Sequence, residues 1–159
     1  MNMIHHYFGS KEGLLNAIVE QFSTRIFAIP MRLFEKTPRS KEDFVSRLEL
    51  LVETTLEAYI EQRALLMVVI REQPDAEGIV EYSQAFVDFL ERCKRKGFVR
   101  EELDSEMISG AILDRILNQV QFAPWLNRVH GVDVLNDVEY RQRWCKSNLD
   151  LFLYGLATG

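Results

Sequence analysis

Apolar residues recur along this chain at the spacing of helix faces. Leu15, Ile18, Phe22, Ile26 and Ile29 follow one another at three, four, four and three positions, one side of a helix. Ser10 is a natural N-cap for that helix, and Glu12 sits in the first turn, where the helix dipole favours a carboxylate. Pro30 is expected to end or kink it, with Met31 to Lys36 continuing at an angle. A second helix is predicted after Ser40, where Asp43 three residues on makes an approximate capping box. Phe44, Leu48, Leu51, Thr55 and Tyr59 run along one side of it. The apolar run from Leu65 to Ile70 is read as buried helix rather than strand, because no turn punctuation appears before Pro74.

Pro74 and Asp75 mark a break. Ile79, Phe86, Phe89, Leu90 and Cys93 form the next face, closed by a cationic last turn and Gly97. Asp104 caps a helix whose apolar face is wide: Ile108, Ala111, Ile112, Ile116, Leu117 and Val120. Pro124 and Gly131 are expected to bracket a loop or short turn. Asp137 opens the last helix, along which Cys145, Leu149, Phe152 and Leu156 are spaced four, three and four. The pattern predicts an all-α, single-domain helical bundle of about six helices, with no internal repeat and no linker-like stretch.

Composition narrows the function. The 159 residues suit one domain with one core. With 19 Lys and Arg against 24 Asp and Glu, the net charge is -5. The pI of 5.3 argues against a free-standing nucleic-acid binder, which would show a basic stripe. No segment is long and apolar enough to span a membrane and no signal-peptide layout is present, so a cytoplasmic protein without a membrane partner is expected. The two cysteines, Cys93 and Cys145, are expected to be reduced thiols. No nucleophile elbow, zinc-protease or phosphate-loop motif occurs, so no catalytic residue and no cofactor is assigned. His5 and His6 are neighbours that point apart on a helix, and only His130 remains besides them, so no metal site is expected. Glu49, Glu53, Glu57 and Glu61 form an acidic row read as a solvated face.

One short stretch is more specific. It runs Ile4, His5, His6, Tyr7, Phe8, Gly9, Ser10, Lys11, Glu12, Gly13, Leu14, Leu15. It resembles the end of the recognition helix and the start of the next helix in TetR-type transcriptional repressors. Phe8, Ser10, Lys11, Glu12, Leu14 and Leu15 match that family's pattern, and Ile4 is a near match. His5 and His6 stand where tyrosines are usual, and Tyr7 falls where either ring is accepted. The resemblance implies DNA-backbone contacts at His6, Tyr7 and Lys11, beside a helix N-terminus that attracts phosphate. It implies residues 1–9 as the remnant of a recognition helix and residues 10–159 as an effector-binding and dimerisation domain. Residues 1–8 are too few for two crossing helices, so operator DNA is expected as a partner only of a full-length form.

The same resemblance implies a small apolar or amphipathic effector and a homodimer. Phe22, Ile26, Met67, Ile70, Phe86, Phe89, Ile112 and Ile116 are candidate pocket residues, with Arg115 and Gln119 as polar members. Each apolar one reads equally as core. Tyr140, Trp144, Leu149, Phe152 and Tyr154 make the last helix apolar on more than one side. Ile108, Leu117, Trp144, Leu149 and Phe152 are therefore the candidate dimer contacts, contributed by the last two long helices; central core helices of a monomer are the other reading. Two further functional readings stay open: a stand-alone helical interaction or dimerisation module without DNA binding, and a helical-bundle enzyme.

Overall fold

The computed structural model describes residues 9–156, with backbone alone at 155 and 156. Among them are seven helices and no strand: α1 (Lys11–Phe34), α2 (Lys41–Glu61), α3 (Arg63–Glu72), α4 (Glu77–Arg95), α5 (Ser105–Gln121), α6 (Ala123–His130) and α7 (Val138–Leu156). The all-α bundle expected from the periodicity is present.

Local chemistry sets most boundaries. The Ser10 hydroxyl accepts from the Gly13 N–H at 3.1 Å, and Asp104 accepts from Glu106 and Met107 at 2.9 and 3.1 Å. Asp137 accepts from the Tyr140 N–H at 3.0 Å and so starts α7. At the end of α4, Gly97 takes a left-handed φ of 79°. Its N–H donates to the Lys94 carbonyl at 2.9 Å and that of Phe98 to Cys93 at 3.0 Å, a Schellman closure.

Of the outcomes open at Pro30, the helix continues, to Phe34. Proline in a helix interior costs about 3 kcal/mol. Burial of Pro30 and Phe34 offsets it, since a buried phenylalanine contributes about 1.5–3 kcal/mol. At Ser40 only half of the capping box forms. Ser40 accepts from the Asp43 N–H at 3.0 Å, but the Asp43 carboxylate turns to the Arg39 N–H at 2.9 Å and to Arg47. Those partners hold the Asp43 carboxyl below its ordinary pKa, the Arg39 amide first and Arg47 second. The segment between Pro124 and Gly131 is a helix, α6, rather than a loop. Pro124 lies in its first turn, where no N–H is needed, and Gly131 closes it at φ 68°.

Helix α2 is the hub. It packs against α1, α3, α5 and α7, while α4 packs against α1 and α5. The core lies between α1, α2, α4 and α5 and is rich in rings. Phe34 stacks on Phe86 with centroids 5.1 Å apart and leans on Phe89 at 5.2 Å. Arg63, at the start of α3, donates to the Val120 and Gln121 carbonyls at 3.0 and 3.3 Å. It thereby caps the C-terminus of α5 and ties the two helices together.

Candidate functional site

Inside the ring-lined core lies a small polar cluster. Thr55 and Tyr59 are one turn apart on α2, and Tyr82 faces them from α4. Thr55 is 0% exposed and Tyr82 2%. Neither the Thr55 Oγ1 nor the Tyr82 Oη has a hydrogen-bond partner. The Thr55 hydroxyl is near enough to ease the titration of the Tyr82 phenol, yet the two complete no bond. Burial drives the Tyr82 pKa far upward, the Tyr59 phenol adds to this, and Thr55 offsets a little. Burial likewise raises Tyr59, with a smaller push from the Asp114 carboxylate. Both phenols therefore stay neutral and keep their protons.

The rings around Tyr82 are ordered. Phe27 of α1 stacks on it at 4.4 Å with planes 17° apart, and Phe34 leans on it at 5.8 Å. Phe22 meets Phe27 edge-on at 5.7 Å. Outside this stack, α1 and α4 leave an open seam. One groove of about 310 Å³ is lined by Phe27, Ala28 and Met31 on α1 and by Gly78 and Glu81 on α4. A second, of about 500 Å³, shares Ser23, Thr24, Gly78 and Glu81 with it and extends to Asn16 and Gln73. The helices touch at Gly78. A Cβ there would lie 2.6 Å from the Ser23 Oγ and 3.0 Å from its Cβ.

Of the residues proposed for a pocket, Phe22, Ile26, Phe86, Phe89, Ile112 and Ile116 converge in the buried core, and Ile70 packs against it half-buried. Met67 is half-buried on α3. Arg115 and Gln119 turn to α7: Arg115 Nε donates to the Asn148 Oδ1, and Gln119 Oε1 accepts from the Tyr140 hydroxyl at 3.2 Å. Of the dimer candidates, Leu149 is buried within its own chain, and Ile108, Leu117, Trp144 and Phe152 pack half-buried against the core. Apolar side chains that remain exposed include Phe122, Trp125 and Val129 around α6, and Leu151 and Tyr154 at the end of α7. His6 and Tyr7 lie outside the described residues; Lys11 is exposed in the first turn of α1.

Thr55 and Tyr82 were not singled out as functional from sequence. Thr55 reads as one step of an apolar stripe, and Tyr82 is not among the residues that the pattern assigns to the α4 face. The usable signal was a hydroxyl at a buried heptad-like position, which carries no weight until burial and partners are known.

Other chemistry is limited. Both cysteines are free and buried, and burial pushes the Cys93 thiol up to about 12 and Cys145 to about 11. Glu57 leaves the acidic row to pair with Arg141, at 2.8 and 3.3 Å. Among the described residues no group of three His, Cys, Asp or Glu side chains could hold a metal ion, and no helix is long and apolar enough to cross a membrane.

No family model and no curated protein sequence matches the chain. Its fold is that of two solved structures. One is the ketosteroid transcriptional regulator KstR2 of Mycobacterium tuberculosis, with a TM-score of 0.70 and 18% identity over 99% of this chain and 79% of that one. The other is a protein of unknown function from Rhodococcus sp. RHA1, with a TM-score of 0.71 and 18% identity over 96% of this chain and 76% of that one. The fold is TetR-like.

Proposed function

We propose that this chain is the effector-binding and dimerisation part of a TetR-like, ligand-responsive transcriptional repressor acting in the cytoplasm as a homodimer. The observation that carries the reading is α1. Its N-terminus, at Ser10 and Lys11, bears the segment that resembles a DNA-backbone contact. Its other end, through Phe22, Phe27 and Phe34, builds the aromatic interior. A single helix of 24 residues, about 36 Å long, joins the two. The TetR-like fold shared with a transcriptional regulator supports the same reading.

The mechanism is a coupling free energy between two sites. A small apolar or amphipathic effector binds in the interior with different affinity for two settings of α1. In the full-length dimer, the setting of α1 alters the spacing of two DNA-reading heads. DNA fixes half-site spacing near about 34–36 Å, so a modest shift releases the operator. Lys11, with His6 and Tyr7, contacts phosphate in that form. The partner chain covers α5 and α7, where Ile108, Leu117, Trp144 and Phe152 are the proposed contacts, while Leu149 is already enclosed by its own core. No residue is assigned to catalysis, and both thiols are held protonated by desolvation.

The test is DNA binding by a form that includes the residues encoded upstream of Met1. It should be dimeric by light scattering and should bind a site near its own gene with a steep loss of affinity as salt rises. A dimer that ignores every such site would overturn the repressor reading in favour of an interaction module.

A further inference from the structure

We propose that the Thr55 and Tyr82 hydroxyls are the polar anchor for an uncharged, flat, largely apolar molecule carrying one carbonyl or hydroxyl oxygen, which reaches them along the α1–α4 seam by displacing Phe27. The proposal rests on the effector-site reading above and names the ligand chemistry of that site. Buried polar groups are nearly always satisfied, and each exception calls for a reason. Here two exceptions occur side by side on different helices, both almost fully enclosed. A hydroxyl can donate and accept, and one incoming oxygen with two lone pairs can take a hydrogen bond from each.

The surroundings define the rest of the molecule. Phe27 stacks on the Tyr82 ring and Phe34 leans on it, so a flat apolar body fits the place that a displaced Phe27 leaves, against Tyr82 and Phe34. The groups that act on Tyr82 are the Tyr59 phenol and the Thr55 hydroxyl, both neutral. A charged ligand would lose its hydration without finding a counter-ion there, which is costly. The route is also visible. Phe27 lines the groove of about 310 Å³ on one side and stacks on Tyr82 on the other, so it is the ring between solvent and anchor. Its displacement moves α1 relative to α4 about the tight Gly78–Ser23 contact, which links occupancy to α1.

The probes are 2-naphthol and 2-methylnaphthalene, which share shape and differ in the oxygen. Binding is read from probe fluorescence, with thermal unfolding recorded for every variant. Tyr82→Phe is expected to weaken 2-naphthol about tenfold, the scale of one interior hydrogen bond, and to leave 2-methylnaphthalene within about twofold. Thr55→Val, which keeps the side-chain shape, is expected to act in the same direction. Neither 2-naphthoate nor 2-naphthylmethylammonium should compete. Phe27→Ala should speed association. Binding of both naphthalenes that Tyr82→Phe leaves unchanged would overturn the anchor while the interior site stands. Failure of both to bind would overturn the anchor and count against the interior site as well. A lower Tm in Tyr82→Phe with 2-naphthol affinity unchanged would mean that the hydroxyls serve an internal water, and would also overturn the proposal.

Discussion

On the flank built by α5 and α7, the buried Asn148 and the half-buried and exposed polar groups around it are paired. The Asn148 amide donates to the Trp144 carbonyl at 2.8 Å while its oxygen accepts from Arg115. Tyr140 donates to Gln119, and Arg141 joins Glu57 to the carbonyls of Val134 and Leu135. In the interior between α1, α2 and α4, Thr55 and Tyr82 are more deeply buried than most of these groups, and their hydroxyls have no partner. A typical paired hydrogen bond adds about 1 kcal/mol to stability, and an unpaired buried group costs about 1–3 kcal/mol. The first set therefore holds helices together. The second weakens the fold, and its use lies outside the fold. A sequence cannot separate the two sets, because Gln119 and Thr55 both look like polar residues inside apolar helices.

The largest effect should come from removing a ring in the interior. Phe86→Ala is expected to lower stability by about 3–5 kcal/mol, whereas Trp125→Ala, on the exposed face of α6, should change monomer stability by about 0.5 kcal/mol or less. Urea unfolding of both variants measures the contrast. Similar losses would mean that the aromatic interior is loosely packed.

Gly78→Ala comes next. The added methyl meets Ser23, so overpacking should cost about 1–3 kcal/mol despite the better helix propensity of alanine. Ser23→Gly in the same chain should recover most of that loss. A stabilised Gly78→Ala protein would show that the seam gives way freely.

The sign of the next pair separates the two regions directly. Asn148→Ala should destabilise by about 1–2 kcal/mol, since Arg115 and the Trp144 carbonyl lose their partner. Tyr82→Phe should leave stability unchanged or raise it by up to about 1 kcal/mol. Calorimetry on the ligand-free chain reads both, and equal losses would erase the distinction.

The smallest effect at neutral pH, and one that grows only in alkali, concerns the two interior phenols. Burial raises Tyr59 and Tyr82 above the unfolded value of about 10. The folded state then holds protons that the unfolded state gives up. The stability linked to these groups is complete below about pH 10 and is lost as pH rises toward the folded values. Ultraviolet titration should show both tyrosines ionising only as the helices unfold. Ionisation of either within the folded chain near pH 10 would place it in water.

Much of the architecture was legible in advance because its causes are local. Ser10, Asp104 and Asp137 cap helices where a side-chain oxygen meets free N–H groups, and Gly97 ends one where a left-handed residue is needed. The Ser-Lys-Glu segment also points to a TetR-like fold, since its order and spacing are unusual. Long-range packing settles what local preference leaves open or points the wrong way on. Pro30 stays inside α1 because Phe34 is buried beyond it, and the Asp43 carboxylate leaves Ser40 because Arg39 and Arg47 offer it more. Pro124 and Gly131, read as loop punctuation, are instead the start and stop of α6.

The candidate site divides the same way. Periodicity alone marked Phe22, Ile26, Phe86, Phe89, Ile112 and Ile116 as inward-facing, because a side chain's direction follows from its place in the helix turn. Which polar groups end up paired is set by neighbours far apart in the chain, such as Arg115 with Asn148. So is the meeting of Thr55 with Tyr82, and the approach of Gly78 to Ser23. Six of the helices, their inward faces and the caps at Ser10, Asp104 and Asp137 follow from residues within a turn or two of one another. Where hydrogen bonds are missing is a property of the packed fold, because it depends on whether helices distant in sequence bring a partner within about 3 Å.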